Sequence, residues 1–133
     1  DQSVDIIAEH VSLSRNAVWR RIKLLEDAGY IAKRVALLNA DLLNVGLTVF
    51  IQIKTSQHTH DWANNLARVS RMLPQIQSVF RMTGELDYLI KARISDMKDY
   101  DLLYQQLTQH LSLSDVSASF VMENIKDTTA LPI

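Results

Sequence analysis

The chain has 133 residues and a mass of 15.2 kDa, enough for one compact domain or two small ones, since a ~150-residue domain buries roughly two-thirds of the surface its unfolded chain exposes. It has no cysteine and only three glycines, which excludes disulfides, thiolate nucleophiles and cysteine-ligated metals, disfavours a glycine-rich phosphate loop, and fits a reducing, cytoplasmic setting. No apolar run is long enough to span a bilayer and no signal peptide is recognisable, while the net charge of −1 conceals a basic segment, residues 14–34, with six basic side chains against two acidic ones.

The first predicted element is a short helix over Ser3 to His10, with Val4, Ile7 and Val11 on one face beside Ile6 and Ala8. Val11-Ser12-Leu13-Ser14 breaks it and offers Ser12 or Ser14 as the N-cap of a second helix, Ala17 to Ala28, which Gly29 closes. On a helical wheel Val18, Ile22 and Leu25 cluster on one side; Asn16, Arg20 and Lys23 lie opposite, flanked by Arg15 and Trp19.

Two helices joined by a tight turn, the second basic on its outer face, form a helix-turn-helix. An α-helix fits the major groove, where Arg can donate two hydrogen bonds to guanine and Asn can pair with adenine, while neighbouring cations hold phosphates. Asn16, Arg20 and Arg15 are the candidate base readers, with Ser14, Arg21 and Lys23 on the backbone of double-stranded DNA and Trp19 beside them. The competing reading is a solvated amphipathic helix; the short preceding helix, the tight turn and the local charge of +4 favour DNA. Two helices do not close a core, so a third element is expected to cover Ile6, Ile7, Val18 and Ile22, and a preceding first helix is expected to be missing from a chain that begins at Asp1.

Tyr30 to Leu38 reads as an extended segment, turned by Asn39-Ala40-Asp41. From Gly46, Leu47, Val49, Ile51 and Ile53 alternate with Thr48, Phe50, Gln52 and Lys54, a half-buried strand. After a polar loop, Asp61 to Leu73 is helical, with Trp62, Leu66, Val69 and Leu73 on one stripe and Pro74 as its stop. Gln75 to Met82 and Asp87 to Ile94 form a hairpin around Thr83-Gly84-Glu85-Leu86; Met97 to Leu111 is a helix and Val116 to Glu123 a last strand.

The order β-α-β-β-α-β predicts an α+β fold with a ferredoxin-like sandwich, a four-stranded antiparallel sheet carrying both helices on one face. The expected organisation is a partial helix-turn-helix over 1–31, an extended linker strand and hinge over 32–45, and the ferredoxin-like domain over 46–133. Phe50, Phe80, Leu89 and Val121 lie out of phase with Ile51, Val79, Ile90 and Phe120, so the uncovered sheet face is also apolar. A homodimer through face-to-face sheets would cover it.

The chain resembles the Lrp/AsnC (leucine-responsive, or feast/famine) regulators over nearly its whole length. The resemblance is carried by Val11-Ser12-Leu13-Ser14, the run from Arg20 to Ile31, Thr83-Gly84-Glu85-Leu86-Asp87-Tyr88-Leu89-Ile90, and Val121-Met122-Glu123-Asn124-Ile125-Lys126, in that order. It implies a transcription regulator that is not an enzyme, with an N-terminal DNA-binding domain and a C-terminal amino-acid-sensing domain, assembling as dimers that gather into octamers. It further implies an effector site at the contact between dimers, near Thr83, Gly84, Glu85, Leu86 and Asp87, with Glu85 standing where many relatives carry Asp. Asp87 suits an effector's ammonium and the N–H groups near Gly84 its carboxylate, with Met97 and Phe120 reading the side chain; a plain hairpin turn ordered by Asp87 is the alternative.

Other signals weigh less. His58, His60 and Asp61 sit in a polar loop without further ligands in range. Neither a nucleophile elbow nor a triad spacing is present, and no cofactor is called for beyond an amino-acid effector. A stand-alone amino-acid-binding module is disfavoured by the basic cluster, and a small ferredoxin-like enzyme such as an acyl phosphatase by the absence of a phosphate loop.

Overall fold

A computed structural model describes residues 3–133. The chain divides between Asn39 and Ala40 into two compact units.

The first unit holds α1 (Val4–His10) and α2 (Arg15–Asp27). Ser3 caps α1, its hydroxyl accepting from the Ile6 amide at 3.3 Å. The helix ends in a Schellman arrangement, with the Leu13 N–H on Ala8 O (3.0 Å) and the Ser12 N–H on Glu9 O (3.3 Å). Ser12 thereby takes φ 56°, a left-handed position usually given to glycine. Ser14, rather than Ser12, is the cap of α2, and its hydroxyl accepts from the Ala17 amide at 3.2 Å. Helix α2 therefore starts two residues earlier than the sequence pattern suggests, taking Arg15 and Asn16 into its first turn. Ala8 and Val18 are the buried apolar side chains of this unit among the described residues; Ile6 and Leu25 are 45% and 44% exposed.

The expected linker strand is not a strand. Residues 31–39 carry no ladder, because no other segment among the described residues pairs with them, and residues 40–44 form a turn in which Asn44 takes φ 57°.

The second unit contains β1 (Leu47–Lys54), α3 (His60–Met72), β2 (Ile76–Arg81), β3 (Tyr88–Ile94), α4 (Met97–His110) and β4 (Asp115–Phe120). The sheet order is β2-β3-β1-β4 with every pair antiparallel, the ferredoxin-like arrangement. Register places Val49 opposite Ala92 and Phe120, and Ile51 opposite Ile90 and Ala118. These residues share the helix-facing side, where Val49, Ile51, Ile53, Ile90, Ala92 and Ile94 are buried against Trp62, Leu66, Val69, Leu103 and Leu107. Strand β4 stops at Phe120, short of Glu123, because its partner β1 runs out: the Val121 N–H still reaches Thr48 O at 2.9 Å, and nothing continues the ladder beyond.

The opposite face bears Phe50, Phe80 and Leu89, with Phe80 and Leu89 directly paired across β2 and β3. Phe80 is 48% exposed. The two-sided apolar pattern read from the sequence is thus present, with one side covered by helices and the other open.

Candidate nucleic-acid interface and ligand site

The capped N-terminus of α2 decides which side chains it displays. Ser14, Arg15, Asn16, Trp19, Arg20, Arg21 and Lys23 are all exposed, while Val18 is turned inward. Asn16, Trp19 and Arg20 line one surface groove, and Arg20 Nε donates to Asn16 O at 3.4 Å. Trp19 is 57% exposed, an unusual position for an indole unless a partner covers it. Arg21 has no ion pair or hydrogen bond among the described residues. Two other cations are engaged: Arg15 Nε lies 3.3 Å from Asp5 on α1, and Lys23 lies 3.8 Å from Asp27 one turn further on. Both pairs are solvent-exposed and of little energy, so phosphates can displace them. At the far end, Arg34 Nε approaches Glu26 at 2.9 Å, so charge there is internally compensated.

In the second unit the turn Thr83–Leu86 joins β2 to β3, with Gly84 at φ +96° and open space around its Cα. The Asp87 amide donates to Ile53 O (3.0 Å), and the Met82 amide donates to Asp87 O (2.9 Å). One carboxylate oxygen of Asp87 accepts the Thr55 amide at 2.8 Å. Asp87 Oδ1 has no partner among the described residues. Thr55 is itself buried, and its hydroxyl accepts from the Gln57 amide at 3.1 Å, a connection that no motif announces.

Met97 and Phe120 are not brought to this turn within one chain. Tyr88 at the turn end of β3 pairs with Ile53, whereas Phe120 pairs with Val49 and Met97 follows the far end of β3. Phe120 packs edge-on against Tyr100 at 5.1 Å, on the helix side, and Met97 is 58% exposed at the start of α4. The seven residues of β3, from Tyr88 to Ile94, span roughly 20 Å at strand spacing. Thr83, Gly84, Glu85, Leu86 and Asp87 therefore form one cluster, and Met97 and Phe120 stand apart from it. Among the described residues no group of three His, Cys, Asp or Glu side chains converges as a metal site, and no helix is long and apolar enough to cross a membrane.

The family described as the Lrp/AsnC ligand binding domain matches residues 48–131, and a winged helix-turn-helix DNA-binding family matches residues 1–32. The chain belongs to the Lrp/AsnC family. It is 42% identical over 132 residues to the DNA-binding transcriptional activator DecR of Escherichia coli, covering 98% of this chain and 87% of that protein. It is 40% identical over 127 residues to the glutamate uptake regulatory protein of Zymomonas mobilis, covering 96% and 77%. A transcriptional regulator from Neisseria meningitidis, solved in complex with L-Met, superposes with a TM-score of 0.88 at 36% identity, covering 98% and 85% of the two chains. This Lrp/AsnC protein is accordingly an amino-acid-responsive, DNA-binding transcription regulator with a helix-turn-helix followed by a ferredoxin-like ligand-binding domain.

Proposed function

We propose that this regulator reads double-stranded DNA with the first half of α2, Asn16, Arg20 and Arg15 addressing base edges and Ser14, Arg21 and Lys23 lying along the backbone with Trp19 beside them. The surface of α2 carries the reading: a capped helix start that displays an amide, an indole and an unpaired guanidinium while burying Val18. The reader spans residues 1–31, the connection 32–45 and the sensor 46–133.

The sensor binds an amino acid at the 83–87 turn, with the ammonium on Asp87 and the carboxylate on the N–H groups around Gly84; the L-Met complex of the Neisseria relative supports this chemistry. Met97 and Phe120 take part only when a neighbouring subunit supplies them, which agrees with a site at the contact between dimers. The apolar sheet face of Phe50, Phe80 and Leu89 supports a homodimer, and dimers gather further into octamers. The protein acts in the cytoplasm and by binding, without catalysing a reaction.

The decisive experiment is DNA binding by the chain with and without each amino acid, at several salt concentrations. Arg20→Ala should relax specificity at single base positions by about 1–3 kcal/mol, whereas Arg21→Ala should weaken all sequences alike and reduce the salt slope by about one. Binding that is unaffected by either change refutes the reading.

A further inference from the structure

Apart from the 83–87 turn, the ligand-binding unit has a cleft at the other end of β3. It has a volume of about 330 Å³ and is lined by Val45, Pro74, Gln75, Gln77, Arg93 and Asp99. Small-molecule sites run from roughly 300 to 1,000 Å³, so the cleft suits a compact ligand. Four features of the fold meet there: the residues after α3, the β2 irregularity between Ile76 and Ser78, the end of β3 and the first turn of α4.

Its polar groups are fixed in place yet incompletely used. Arg93 Nε donates to Gln77 Oε1 at 3.1 Å, which orients the guanidinium, but its terminal nitrogens have no partner among the described residues. Asp99 Oδ2 accepts the Ser95 amide (3.0 Å) and hydroxyl (3.4 Å), while Oδ1 has no partner among the described residues. Gln75 Oε1 is sealed from solvent and accepts no hydrogen bond among the described residues, although its backbone carbonyl is held by the Arg93 amide at 2.8 Å. Arg93 and Asp99 are both half-buried and line one cleft, but form no ion pair with each other. The larger cleft at the end of α2 behaves differently, since its Arg34 and Glu26 pair directly.

Opposite charges that share a partly desolvated cleft without pairing suit a ligand that carries both charges itself. We propose that this cleft is a second site for a small zwitterion of the α-amino-acid class, separate from the 83–87 turn and independent of whether that turn binds an effector. The ligand carboxylate pairs with the terminal nitrogens of Arg93. Its ammonium donates to Asp99 Oδ1, and to Gln75 once that amide turns toward the cleft. Val45 and Pro74 leave room beside them for a short apolar side chain.

The test uses the full chain, titrated singly with the twenty protein amino acids and followed by NMR at the Arg93 Nε–H, the Gln75 side-chain amide and the Gly84 backbone amide. Acetate and methylammonium serve as single-charge controls. The expected result is that at least one amino acid moves the Arg93 and Gln75 signals, with a saturation curve distinct from that at Gly84. Arg93→Gln and Asp99→Asn should each weaken that binding tenfold or more; the latter keeps an acceptor for Ser95, so the start of α4 stays intact. The proposal is overturned if no amino acid moves these signals, if both variants bind as tightly as the parent, or if acetate alone saturates the site as well as an amino acid does.

Discussion

Asp87 combines a structural hydrogen bond with the proposed ligand charge, and two substitutions separate them. Its carboxylate accepts the amide of Thr55, a residue only 5% exposed, at 2.8 Å. A hydrogen bond to a charged acceptor contributes about 1.5–3 kcal/mol, and an orphaned buried N–H costs a similar amount. Asp87→Ala should therefore destabilise the ligand-binding unit by about 2 kcal/mol, which lowers the midpoint of a domain of this size by roughly 8–16 °C. Asp87→Asn retains an acceptor and should cost less than about 1 kcal/mol, while weakening amino-acid binding at the turn tenfold or more. Trp62, packed 5.2 Å from Tyr88, reports on this unit by fluorescence, provided Trp19 is replaced by Phe to silence the other unit. Equal destabilisation by Ala and Asn would refute the hydrogen-bond argument. Unchanged ligand affinity in Asp87→Asn would refute the ammonium assignment.

Three further outcomes follow from particular residues. Ser12→Gly should stabilise the helix-turn-helix by about 0.5–1 kcal/mol, since Ser12 sits at φ 56°, where a Cβ is penalised; thermal unfolding of α1 and α2 measures it. The Tyr100 hydroxyl is pushed above its ordinary pKa of 10.0, first by burial and then by neighbouring Tyr104 and Asp101. Because the unfolded chain gives up this proton first, stability is full below pH 10 and falls as pH rises through the raised folded value; urea unfolding in that alkaline window should show a shallower decline in Tyr100→Phe. Leu89→Lys places a charge on the open sheet face beside Phe80, and sedimentation velocity should show the assembly breaking down toward monomer without loss of helix content.

The legible part of the fold is the part encoded by periodicity. The stripe Trp62, Leu66, Val69 and Leu73 is buried along its full length, and the alternation from Leu47 to Lys54 fixes which side of β1 meets the helices. Cap chemistry was half legible: a hydroxyl was required near residue 13, but choosing Ser14 over Ser12 depended on Ser12 being taken by the end of α1. Extended conformation and strand were not distinguishable over 31–39, because a strand is defined by its partner and periodicity says nothing of one. The side-chain amides and carboxylates were least legible. Gln75, Arg93 and Asp99 belong to three different parts of the fold, just before β2, in β3 and in α4, and form no motif; the β2 irregularity and the first turn of α4 bring them to one cleft.

The Thr55–Asp87 contact also sets the scale of what a ligand at the turn can do. An effector alters an equilibrium only by its difference in affinity between two states, and a tenfold change requires about 1.4 kcal/mol. That is the magnitude of one charge-assisted hydrogen bond. An ammonium at Asp87 Oδ1 shares the carboxylate charge with the Thr55 amide held on Oδ2 and thereby weakens that bond, and the neighbouring Ser56 amide is tied to the Ser114 hydroxyl at 3.0 Å, just ahead of β4. Weakening the first bond frees the loop that the second anchors to the edge strand. A single carboxylate therefore carries enough energy to connect occupancy of the turn with the arrangement of the β1–α3 and α4–β4 loops, provided that the ligand prefers one arrangement over the other.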